Sequence, residues 1–160
     1  MDGITLRRFA ATDADWLTDR HQTLYRDAEG FDDTFGPLVA GIIADFLATH
    51  DPAREAGWIA QKGDARIGSI FCVTQSPTRA KLRLFLLEPS ARGTGLAQHL
   101  LTTCLTFAQD RGYDDLHLWT HESHVAAGRL YARNGFDLID SKPVKSFGVD
   151  LVEQTWAITF

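Results

Sequence analysis

Apolar positions along the chain change their spacing repeatedly, and each change marks an element. "ITLRRF", Ile4 to Phe9, alternates at period two as a short strand. Thr12 offers a cap for a helix carrying Trp16, Leu17 and Leu24 on one side, and Thr34 opens a second whose Leu38, Ile42 and Phe46 recur every fourth residue. Asp51-Pro52 ends it. "WIAQK" and "RIGSIFCV" read as strands joined by a hairpin turn at Gly63-Asp64, and "AKLRLFLL" follows the "QSPTR" turn as a longer strand. From Leu96, the positions Leu100, Leu101, Cys104, Leu105 and Ala108 keep helical spacing until Arg111-Gly112. "LHLWT" is a strand, His124 to Arg133 a helix stopped by Asn134-Gly135, and "FDLID" and "LVEQTWAITF" two closing strands. The order is β-α-α-β-β-β-α-β-α-β-β. Adjacent strands followed by alternation with helices predict an α/β layer fold, a mixed sheet covered on its faces.

The 160 residues have the size of one domain, 1–160, with a core large enough to need no staples. Apolar residues make up 44% and charged ones 23%, which argues against disorder. A net charge of -5 without any basic block lacks the footprint of a nucleic-acid binder. Cys72 and Cys104 lie inside apolar patterns and read as buried free thiols. No apolar stretch approaches membrane-spanning length and "MDGITLRRF" has no signal core, so the cytoplasm is the default compartment.

Between the fourth strand and third helix runs "LLEPSARGTGLAQHLL". A helix amino terminus leaves backbone N–H groups unpaired and carries partial positive charge, so a glycine turn there can wrap a pyrophosphate. Gly93 and Gly95 remove side chains that would hold a phosphate away, and Arg92 can add a charge-assisted bond worth roughly 1.5–3 kcal/mol. For the glycines alone, the turn itself is the better explanation. A dinucleotide fingerprint would need a small residue where Gln98 stands, and a P-loop would need Gly-Lys followed by Ser or Thr.

What remains, Arg92-x-x-Gly95-x-Ala97 after "LEP", with "RLYARNGF" at the fourth helix and the element order above, resembles the GNAT superfamily of acyl-CoA-dependent N-acyltransferases over nearly the entire chain. "GFDDTF" and "SFGVDLVEQTW" are similar to the acetyltransferase half of MarR-type regulator fusions; with no winged-helix half preceding, DNA binding is not carried over. The resemblance implies a mostly antiparallel mixed sheet flanked by helices on both faces, acetyl-CoA as cosubstrate, and direct ternary-complex transfer of an acetyl group to a small-molecule or peptide amine. It implies that the backbone of Leu86 and Leu87 bonds the pantetheine amides beside a bulge and polarises the thioester carbonyl, while Arg92, Gly93, Thr94, Gly95, Leu96 and Ala97 hold the pyrophosphate. Tyr131 matches the tyrosine that protonates the departing thiolate. His124 stands where the family often has an asparagine, and is expected to contact the pantetheine or adenine side.

An amine must be neutral to attack, so a base is needed. Several relatives carry a glutamate near the start of the fourth strand; here "AKLRLF" offers Lys81 and Arg83 instead. Glu122 is the nearest substitute, with His121 and His124 as competitors, and "HESH" lacks the spacing of a helical zinc motif, so no metal is expected. Glu29, Asp32 and Asp33 are placed to attract a cationic amine, and His21 and Tyr25 share a helix face. The alternative from another class is a non-catalytic acyl-CoA sensor. Edge strands needing cover also admit a homodimer.

Overall fold

The computed structural model describes residues 3–160. Its elements are β1 (Ile4–Arg8), α1 (Ala14–Glu29), α2 (Phe35–Thr49), β2 (Ala56–Lys62), β3 (Ala65–Ser76), β4 (Arg79–Leu87), α3 (Leu96–Asp110), β5 (Asp115–His121), α4 (Val125–Arg133), β6 (Asp137–Ser146) and β7 (Val149–Thr159), in the order read from the pattern. The seven strands form one sheet, ordered β1-β2-β3-β4-β5-β7-β6. Every neighbouring pair is antiparallel except β4 and β5, because α3 crosses between them and returns the chain in the same direction.

The sheet buries a different core on each face. Ile70, Cys72, Leu82, Leu100, Leu101 and Cys104 belong to the larger core, under α3 and α4, and each such apolar side chain contributes about 1.5–3 kcal/mol on burial. Leu17, Val39, Ile43 and Phe71 form the smaller one, under α1 and α2. Both cysteines are free and buried.

Two local expectations need correction. Thr12 lies in a short 3-10 turn, Ala11–Asp13, and α1 starts after Asp13. The Asp13 carboxylate, fully buried, accepts two bonds from Arg7 at 2.7 and 2.8 Å, one from Arg66 at 2.8 Å and one from the Ala10 N–H at 2.8 Å. It thereby ties the start of α1 to β1 and β3. Burial pushes its pKa up, but these donors outweigh that and hold it at about 2. In α2 the buried stripe is Val39 and Ile43, not Leu38 and Ile42; Leu38 is 49% exposed. A helix apolar on more than one side does not announce which stripe meets the core, and here the Leu38–Ile42 stripe faces a cleft.

Candidate active site

The cleft begins where β4 and β5 part. They pair only over Arg79–Lys81 and Asp115–His117, so the rest of β4 has no strand partner on that side. On its other side β4 carries a bulge: Arg83 faces Phe71 and Leu86 faces Ser69, leaving two residues, Leu84 and Phe85, against Ile70 alone. Leu84 takes a left-handed φ of 52°, a conformation that costs a non-glycine residue on the order of 1–3 kcal/mol, and the Ser69 hydroxyl donates to its carbonyl at 2.6 Å. The bulge also sorts side chains, with Leu84 packing toward α1 and α2 while Phe85 packs toward α3 and α4. Leu86 and Leu87 follow it and line a cleft of about 980 Å³.

At one end of the cleft the chain turns into α3. Gly93 and Gly95 have φ values of 74° and 85°, so glycine is required at both for conformation. Among the described residues the backbone N–H groups of Gly93, Thr94 and Gly95 find no acceptor, the arrangement that suits an anion. Arg92, Arg129 and Arg133 line the cleft, none of them in an ion pair among the described residues. The Thr94 hydroxyl donates to the Ala91 carbonyl at 2.5 Å and pins the turn, and Leu96, fully buried, anchors it to the core. Ala97 faces the cleft. Gln98, which breaks the dinucleotide pattern, exchanges two amide bonds with Asn134 at 2.8 and 2.9 Å and so clamps the start of α3 to the end of α4.

Tyr131 lies on α4, is 3% exposed and lines the cleft. The rings of Phe85, Phe136 and Trp156 surround it, with centroids 6.5, 5.4 and 6.1 Å away. Burial, then the neighbouring Tyr25 and Cys104, push its pKa well above the usual phenol value, so it stays protonated.

The opposite wall comes from α1, α2 and the end of β5. His124, which caps α4, receives the Thr120 hydroxyl on Nδ1 at 3.2 Å and places Nε2 3.0 Å from Glu29 at the end of α1. The Ser123 hydroxyl donates to the other oxygen of Glu29 at 2.9 Å. The Glu29 carboxylate can only accept, so Nε2 carries the proton between them; burial lowers the His124 pKa against the pull of Glu29. Both ring nitrogens are therefore engaged within the protein, and His124 still lines the cleft where a cofactor contact is expected of it. His121 differs. It lines the cleft, its Nδ1 is buried with no partner among the described residues, and burial together with His124 keeps the ring neutral, opposed by Glu29 and Glu153.

Glu122 is an exposed turn residue outside the cleft lining. Its backbone N–H donates to Val152 at 2.8 Å, fixing the turn so that His121 and Ser123, its two neighbours, line the cleft instead. The acidic trio also disperses: Asp33 pairs with Arg26 at 2.7 Å, Asp32 bonds Thr34, and only Glu29 reaches the cleft. His21 and Tyr25 do stack, 6.1 Å apart, but burial drives His21 down to about 4 while Tyr25 faces the cleft with its phenol pushed up to about 12. Glu153, which sequence reasoning passed over, reaches the cleft because β7 pairs it with His121, and that register has no local signature.

Residues 14–136 match the family model described as acetyltransferase (GNAT) family, and the chain belongs to that family. It is 36% identical to rat (Rattus norvegicus) N-acetyltransferase 8B over 100 residues, 59% of this chain and 45% of that protein. To mycothiol acetyltransferase of Salinispora tropica it is 31% identical over 150 residues, 84% of this chain and 45% of the relative. The chain thus spans somewhat less than half of these relatives. Its fold is that of a putative acetyltransferase from Salmonella typhimurium solved with its cofactor acetyl-CoA, with a TM-score of 0.75 and 19% identity over 99% of this chain and 94% of the other.

Proposed function

We propose that this chain transfers an acetyl group from acetyl-CoA to a primary amine within a ternary complex, and the observation that carries this is the bulged, half-unpaired strand β4 opening between an anion-ready turn and Tyr131. Arg92, Gly93, Thr94, Gly95, Leu96 and Ala97 take the pyrophosphate, and the free edge of β4 at Leu86 and Leu87 takes the pantetheine amides. The amine nitrogen attacks the thioester carbon, whose developing oxyanion is met by a β4 backbone N–H, and the carbon–sulfur bond then breaks. His121 takes one ammonium proton beforehand, Tyr131 supplies a proton to the departing thiolate, and the proton that the nitrogen sheds on becoming an amide returns the phenolate to a phenol. Assigning the base to His121 rather than Glu122 rests on position: Glu122 is exposed and outside the cleft lining, whereas His121 lines it with an Nδ1 that has no partner among the described residues. A ring kept neutral by burial is a ready proton acceptor.

Residues 1–160 act in this reading as one catalytic domain, in the cytoplasm, a compartment that two buried unpaired thiols suit; among the described residues no helix is long and apolar enough to cross a membrane. "GFDDTF" and "SFGVDLVEQTW" support kinship with the acetyltransferase half of MarR-type fusions. A homodimer is supported by β6, an edge strand with Leu138 and Ile139 about half exposed, and a light-scattering mass of one chain would dismiss it. The test of the activity is free-thiol release from acetyl-CoA across a panel of amines, with CoA affinity measured in parallel by calorimetry. Release dependent on one class of amine establishes the transferase. Tight CoA binding without release by any amine makes the chain a sensor, and absence of CoA binding reduces the glycine turn to a connection.

A further inference from the structure

The floor of the acceptor side is cationic. Lys81 and Arg83 lie on β4 on the opposite face from Ala80 and Leu82, whose side chains enter the larger core, and both line the cleft. The bulge begins at the next residue. Lys81 rests over the Trp119 ring at 4.3 Å, and neither cation has a carboxylate within 4 Å among the described residues. Burial, and for Lys81 the neighbouring Arg83, lower both pKa values, the mark of charges held partly out of water without a counter-ion. The acidic groups around them are committed elsewhere. Glu29 serves His124 and Ser123, Glu153 approaches Lys142 at 3.8 Å, and Glu55 accepts from the Thr74 and Asp51 N–H groups at 3.0 and 2.9 Å. Asp45 shares a smaller hollow with Arg83 but stays beyond salt-bridge reach.

A half-buried guanidinium with no partner inside a substrate cleft is completed by the substrate. We propose that Arg83, assisted by Lys81, binds an oxyanion of the acceptor, so that the acceptor is a small amine that also carries a carboxylate or phosphonate. This rests on the acetyltransfer reading above. It adds an anionic group to the expected cationic amine: the fourth-strand stretch that offers Lys81 and Arg83 holds cations in this chain. The size follows from the strand. Arg83 and Leu86 face Phe71 and Ser69, only two residues apart on β3, so the bulge brings them to roughly 7 Å along the strand. The oxyanion and the reacting nitrogen are therefore a few bonds apart, the scale of an amino acid. Leu24, Leu38 and Ile42 wall the same space and suit an apolar substituent.

The experiment titrates CoA-saturated protein by calorimetry with alanine, leucine and phenylalanine, each beside its amide, its decarboxylated amine and its aminophosphonate analogue, and repeats the series for thiol release from acetyl-CoA. At least one acid or phosphonate should bind about 10- to 100-fold more tightly than its amide or amine, the fold-change of one charge-assisted bond. Arg83→Gln should erase that preference, Lys81→Met should weaken it, and Arg83→Lys should restore part of it while CoA affinity holds in all three. Carboxylate over phosphonate, or the reverse, names the natural oxyanion. Equal binding of the amides, no binding of any acid, or an acid preference that survives Arg83→Gln overturns the proposal. The two readings fail separately: acetylation of plain amines without acid preference leaves the transferase and removes the oxyanion site. Arg83-dependent acid binding with no thiol release does the opposite.

Discussion

The two ends of the cleft are built from different material. In the proposed reading, the end that takes the nucleotide is mostly backbone: a bulged strand edge, two left-handed glycines and the first turn of α3, contiguous from Leu84 to Ala97. The end proposed for the acceptor is side chains gathered from far apart, with Glu29 from α1, Leu38 from α2, Arg83 from β4, His121 from β5 and Glu153 from β7. A backbone site holds a shared ligand with little dependence on which side chains surround it. A side-chain site can be rewritten one residue at a time without disturbing the strand edge beside it. Such a division would let one fold keep its acyl donor while its acceptor changes, and in this chain the side-chain end carries the cations Lys81 and Arg83.

Substitutions at each end should therefore separate donor binding from acceptor chemistry. The largest effect is expected from Tyr131→Phe, which should lower turnover by about 10²–10⁴-fold with CoA affinity nearly intact. Unchanged turnover in stopped-flow thiol release would remove the phenol from the mechanism. His121→Gln should cost about 10²-fold in turnover and abolish the acidic limb of the kcat/KM profile. The sign follows from the base having to be neutral: burial and His124 lower the His121 pKa, so activity should hold down to below the ordinary imidazole value of about 6.5 and fall only as the pH drops further. A limb that persists in the variant would place the base elsewhere. Gly95→Val acts on the other end, forcing a branched side chain into φ 85°, and should weaken CoA binding about tenfold with acceptor KM unchanged, as read by calorimetry beside steady-state kinetics.

Asp13→Asn serves as the control outside both ends. It should lower stability by about 2 kcal/mol in urea titration while kcat changes least of all. Because the folded pKa of Asp13 is depressed to about 2 from 3.8, its contribution is complete above about pH 4 and is lost as the pH falls through about 2. A stability difference between the variants that persisted unchanged below pH 2 would contradict that linkage.

The same division explains what the sequence disclosed. Element order, the α3 face with Leu100, Leu101 and Cys104, and the glycine turn were legible because each rests on spacing within a few residues. The motif made Tyr131 visible for the same reason. Glu122 is near in sequence to the end of β5, which makes it a candidate base on spacing alone, but it lies in the turn after β5, exposed and outside the cleft lining, while His121 lines the cleft. Glu153 needed the β5–β7 register, and the choice between the Leu38 and Val39 stripes of α2 needed the sheet beneath it. Arg83 could be read as a missing carboxylate, but its lack of an ionic partner is a property of the assembled cleft.

The amide exchange between Gln98 and Asn134 carries a mechanical consequence. Asn134 closes α4 three residues after Tyr131, and Gln98 lies in the first turn of α3, directly beyond the anion-ready glycines. The two helices behave there as jaws bolted to one hinge plate. On the roles proposed for that turn and for Tyr131, gripping the far, charged end of a long flexible molecule would set the alignment of a proton donor near its reactive end, and a loose bolt would show itself in the timing of bond cleavage before it showed in how firmly the molecule is held.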